Sequence, residues 1–106
     1  MEKIDSRTFD GMLNRRRHMV LLFSSAMDVG SVLAENALDN LEDEYADVCS
    51  FFKSDITEDV ELAHQYSVYS VPRILLFTDG KPVADVTGAM SHSVMKAFLS
   101  KHISRT

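Results

Sequence analysis

The 106-residue chain contains a single cysteine, no tryptophan, two prolines and four glycines. One cysteine cannot close an internal disulfide. Nor can it supply the paired thiols of a Cys-x-x-Cys redox centre or the thiolates of a structural zinc site. Positive charge is also scarce: eleven Lys and Arg stand against sixteen Asp and Glu, a net charge of −5. That sign argues against holding a phosphate backbone by counterion release, so nucleic acid is not an expected partner. The longest apolar run, Met19-Val20-Leu21-Leu22-Phe23, is too short for a membrane helix or a signal-peptide core, which need about 20 and about 7 to 15 residues. Although Arg15-Arg16-Arg17 precedes it, as a basic segment precedes an export signal, the run reads as a buried strand after a basic turn. No membrane association is expected, and the cytoplasm is the expected location. No repeat, low-complexity tract or Pro/Gly/Ser linker divides the chain, so residues 1–106 are read as one domain.

The remaining sequence alternates between strand and helix patterns. After a short extended start at Lys3-Ile4, residues 8–14 place Phe9, Met12 and Leu13 at helical spacing. Residues 19–23 form a strand covered on both faces. Residues 29–46 carry Val32, Leu33, Ala37, Leu38, Leu41 and Tyr45 at three- and four-residue intervals, a long amphipathic helix. Residues 48–53 are strand-like, residues 59–66 predict a short helix with Val60, Ala63 and Tyr66 inward, and residues 73–78 form another strand. Asp79-Gly80 predicts a type I′ turn pairing that strand with residues 83–86. Ser91 caps a last helix with Val94, Met95, Phe98, Leu99 and Ile103 on one face. This order predicts an α/β fold: a central mixed sheet, made of a parallel βαβ half and an antiparallel C-terminal hairpin, with helices on both faces.

The run from Ser67 through Val71-Pro72 and Asp79-Gly80 to Val83, then Thr87-Gly88-Ala89-Met90-Ser91, resembles the C-terminal half of thioredoxin. That family has a Val-Pro-Thr turn with a cis proline, an apolar strand, an Asn/Asp-Gly hairpin and a Gly-Ala before its last helix. Residues 55–66 are similar to the family's next segment upstream, with Val60 at its proline, and residues 19–45 follow its strand, active loop and second helix without a gap. The resemblance implies the thioredoxin fold over nearly the whole chain.

In that register the family's redox loop becomes Met27-Asp28-Val29-Gly30-Ser31-Val32, with Asp28 and Ser31 at the two cysteine positions. A carboxylate and a hydroxyl can neither attack a disulfide nor resolve a mixed one. The family's buried aspartate falls at Leu22, while its lysine neighbour persists as Lys53, whose long stem can carry the ammonium to water. An unpaired buried charge is costly, so an apolar Leu22 is favourable once the chemistry is gone. The resemblance therefore implies a redox-inactive module that binds a protein or peptide as adaptor, assembly factor or chaperone. Its groove would comprise Met27, Val29, Ser54, Ser70, Val71, Pro72, Thr87, Gly88 and Ala89, with Val71 pairing the peptide backbone as an added strand.

The alternative is a divergent thiol-disulfide oxidoreductase using Cys49, which is otherwise an inert core thiol. Asp28 either caps the long helix or touches a ligand, and Ser31 reads as a solvated first-turn residue. The histidines show no metal-ligand spacing, and no cofactor is expected. Between Glu35 and Glu61 ten acids face one lysine, either a solvated face or a surface for a basic partner.

Overall fold

The computed structural model describes residues 1–88 and 90–103. Among them, five strands and four helices follow in the order β1 (Glu2–Lys3), α1 (Phe9–Met12), β2 (His18–Ser24), α2 (Val29–Tyr45), β3 (Cys49–Asp55), α3 (Val60–Gln65), β4 (Arg73–Thr78), β5 (Lys81–Thr87) and α4 (His92–His102). The strands form one mixed sheet ordered β1-β3-β2-β4-β5. β1 and β2 run parallel to β3, and β4 runs antiparallel to both β2 and β5. The mixed α/β sheet read from the sequence is thus present.

β2 lies between two strands and under helices on both faces, so all seven of its residues are buried. Strand alternation splits the interior in two. Val20, Leu22, Cys49, Phe51, Ile74 and Leu76 point into a core shared with α2 and α4, while Met19, Leu21, Phe23, Phe52, Leu75 and Phe77 point into one shared with α1 and α3. In the second core Phe9, Tyr66 and Phe77 meet edge to face at 5.4–5.6 Å between ring centres, tying both short helices to β4.

The hairpin is a two-residue loop: Thr78 pairs with Lys81, and Asp79 and Gly80 both adopt positive φ, +52° and +81°, as a type I′ turn requires. β5 therefore begins at Lys81, two residues earlier than the sequence pattern suggests. A bulge between Leu76 and Phe77 accommodates Pro82, which lacks the N–H of a regular ladder residue on this edge strand.

The helix faces depart from the sequence reading. α2 buries Ser31, Ala34, Ala37, Leu38, Leu41 and Tyr45. That 31-34-38-41-45 stripe leaves Val32 and Leu33 exposed off its edge. In α4 the buried line is Met95 and Leu99, continued by Ile103, and Val94 is exposed. α3 buries Leu62 and Ala63, so Val60, at its first turn, faces solvent at 69% exposure and not inward.

Candidate functional site

The C-terminal ends of β2 and β3, the start of β4 and the end of β5 converge at one end of the sheet. The Ile56 N–H donates to the Ser24 carbonyl at 3.0 Å, Phe23 pairs with Arg73, and the Gly88 N–H donates to the Pro72 carbonyl at 2.9 Å. The loop of residues 25–28 and the Val71-Pro72 turn, distant in sequence, therefore share one surface. The Val71-Pro72 peptide bond is cis.

Asp28 and Ser31 hold the loop with hydrogen bonds. An Asp28 carboxylate oxygen accepts from the Ser31 N–H at 2.7 Å, capping α2. The Ser31 hydroxyl accepts from the Ser25 N–H at 3.1 Å. Ser31 is accordingly buried, 1% exposed, which corrects its reading as a solvated residue. Its side chain turns back to satisfy a backbone donor that the loop would otherwise leave unpaired. Both side chains are thus occupied with shaping the backbone.

Behind the loop lies a small polar cavity of about 290 Å³ bordered by Ser24, Ser31, Glu35 and Lys53. Leu22 is fully buried beside Lys53 in the parallel register. The Lys53 Nζ lies 3.1 Å from Glu35 Oε2 on α2, so a helix carboxylate neutralises this lysine in addition to the water its stem reaches. Both side chains are about a quarter to a third exposed.

The groove residues do not all lie at the surface. Met27 and Val29 stand out at 92% and 75% exposure. Ser70 and Thr87 are exposed, Val71 is half-buried and Pro72 is buried beneath the turn. Gly88 adopts φ +99°, and apart from its chain neighbours no atom of the described residues lies within 4 Å of where a Cβ would sit, leaving open space for an approaching chain. Ser54 is fully enclosed and cannot form a groove wall, because alternation along β3 turns it to the same side as Phe52. Its hydroxyl has no hydrogen-bond partner among the described residues. Ala89 lies outside the described residues. Three residues that the sequence reading left out of the groove join this end: Ile56, Val60 and Tyr69, the last two strongly exposed. Tyr69, three residues before Pro72, was the legible signal; Val60 was masked by being assigned to the core.

Cys49 belongs to a different part of the molecule. It pairs with His18 at the opposite end of β2, six residues from Ser24. At about 3.3 Å per residue this is roughly 20 Å from the loop. The thiol is 2% exposed, and burial pushes its pKa up to about 12. Nothing near it lowers that value enough to form a thiolate at neutral pH. Among the described residues, no helix is long and apolar enough to cross a membrane, and no group of three or more His, Cys, Asp or Glu is arranged to hold a metal ion.

Compared with known proteins, the fold superposes on that of a thioredoxin variant from Halobacterium salinarum with a TM-score of 0.89, at 21% identity, covering 99% of this chain and 92% of that one. This is the thioredoxin fold. The sequence model of the thioredoxin family matches residues 1–101, and the chain belongs to that family. It is 35% identical over 66 residues to Thioredoxin C-2 of Corynebacterium nephridii, a match spanning 62% of this chain and 61% of that protein. It is 23% identical over 103 residues to a thioredoxin of Griffithsia pacifica, 97% of this chain and 94% of that one. At the higher identities, then, the chain spans about three fifths of the length of the curated relatives it matches.

Proposed function

We propose that this chain is a single-domain, redox-inactive thioredoxin-fold protein of the cytoplasm that binds a peptide or protein segment at the end of its sheet, as an adaptor or assembly factor. One observation carries the reading. Of the large apolar side chains exposed among the described residues, the four most exposed, Met27, Tyr69, Val29 and Val60, lie at this one end. Solvated apolar surface gathered in one place marks an interaction site. The same end has lost both thiols and keeps the open backbone approach at Gly88. An extended segment would lie between Met27 and the 70–72 turn, add its backbone beside Val71 and pass over Gly88. Met27 offers a long, flexible thioether that adapts to varied apolar partners.

The test is an amide chemical-shift map of the labelled protein titrated with S-carboxymethylated insulin B chain, an extended polypeptide without a free thiol. Residues 27–30, Val71 and Gly88 are expected to shift, and the acidic outer face of α2 to shift less. Shifts confined to that acidic face would replace the groove with an electrostatic interface there.

A further inference from the structure

Beside the proposed groove, a cavity of about 580 Å³ opens between α3 and the segment leading to Pro72. Its walls are Ile56, Val60, Ala63, Val68 and Tyr69, with Glu61 and His64 as the polar lining. The volume falls within the range of small-ligand pockets and is ample for a large apolar side chain. Glu61 also lines a second cleft, of about 570 Å³, between the start of α3 and residues 2–8. That cleft is acidic: Glu2, Asp5, Asp55, Glu58, Asp59 and Glu61 outnumber Lys3 and Arg7. Both cations are already engaged there, Lys3 at 2.7 Å from Glu58 and Arg7 at 3.5 Å from Asp5. Asp59 accepts only backbone N–H groups and Glu61 only the Ser6 hydroxyl, so neither has a cationic partner among the described residues.

We propose that this pair of cavities is a specificity subsite for a basic segment of a partner protein, taking a large apolar anchor between α3 and Tyr69 and the Lys or Arg residues that flank it along the acidic cleft. The apolar pocket supplies the burial, and the acids choose the sign of what surrounds the anchor. Glu61, common to both cavities, sets the spacing between anchor and first cation. The inference rests on the reading of this end of the sheet as a polypeptide-binding surface and adds the chemical class of the partner.

The test uses two synthetic peptides with the same Leu-Phe core, one followed by four lysines and one by four glutamates, titrated into the full chain while amide shifts are followed. The lysine peptide is expected to shift Val60, Glu61, His64, Val68 and Tyr69 and to bind at least about tenfold more tightly than the glutamate peptide. Glu61→Gln, which disturbs no packing, is expected to weaken it about two- to five-fold, the range of one exposed charge pair. Val60→Ser and Tyr69→Ser, at exposed positions, should each weaken it several-fold. Equal binding of the two peptides, or no shift at these amides with millimolar peptide, would overturn the subsite, as would self-association of the protein through α3. Shifts at residues 27–30, Val71 and Gly88 alone would leave the groove standing and remove the subsite. Shifts at the cavity alone would do the reverse.

Discussion

Cys49 offers a quantitative test, because the structure fixes both its ionisation and its access. Burial raises the thiol from an ordinary value of 9.0 to about 12, so at about pH 8 the thiolate is about a thousandfold rarer than in an unfolded chain. A more basic thiolate is a better nucleophile. With a Brønsted coefficient of about 0.4 to 0.5 this returns roughly 15- to 30-fold, leaving a net loss of some 30- to 60-fold from ionisation alone. Access lowers the rate further: Cys49 is 2% exposed, paired with His18 of β2 and packed into the core shared with α2 and α4. The reagent therefore waits for local opening of the sheet. Reaction of the native protein with a chromogenic disulfide is expected to be at least about a hundredfold slower than that of the same protein in denaturant, followed by absorbance. A native rate within tenfold of the denatured one would refute the reasoning and restore Cys49 as a candidate reactive monothiol.

Other expectations follow from individual contacts. Asp28→Ala should cost about 0.5 to 2 kcal/mol in chemical denaturation, because it removes the cap on the Ser31 N–H. Gly88→Val should destabilise by at least about 1 to 2 kcal/mol although space is available, since φ +99° is disfavoured for a β-branched residue; unchanged stability would contradict the backbone geometry. The raised Cys49 pKa favours the folded state while the thiol stays protonated. That stability is present below about pH 9 and lost between about pH 9 and 12, at a slope up to about 1.4 kcal/mol per pH unit, which should flatten in Cys49→Ala. The double variant Asp28→Cys with Ser31→Cys should form an internal disulfide on mild oxidation, read by mass and by resistance to alkylation. Two persistently free thiols would contradict the placement of these residues at the redox positions.

The parts of the fold most legible in the sequence were those dictated by local chemistry. β4 runs over Arg73–Thr78 as its apolar run predicts, because Asp79-Gly80 leaves few alternatives for the turn that follows. β2 was readable as a doubly covered strand because it has no alternation to offer. Which side of a helix faces inward was harder to read. α3 has only six residues, so periodicity could not decide between Val60 and Leu62, and the tertiary fit chose Leu62. Ser31 and Ser54 show a related blind spot. Ser31 read as solvated and Ser54 as a groove wall, yet one is buried by a backbone hydrogen bond and the other by strand alternation. The absence of cysteine from residues 27–32 was visible in single positions. The grouping of Val60, Tyr69 and Met27 was not, because it depends on three connections meeting at one end of the sheet.

The central claim is that this thioredoxin-family chain has kept a binding surface without the family's chemistry, and the most direct test is the rate of insulin reduction by dithiothreitol with and without the protein. With neither thiol in the loop and Cys49 buried roughly 20 Å away, the rate is expected to equal that of dithiothreitol alone. Acceleration by the protein that disappears in Cys49→Ser would contradict the account and make the buried thiol a working nucleophile.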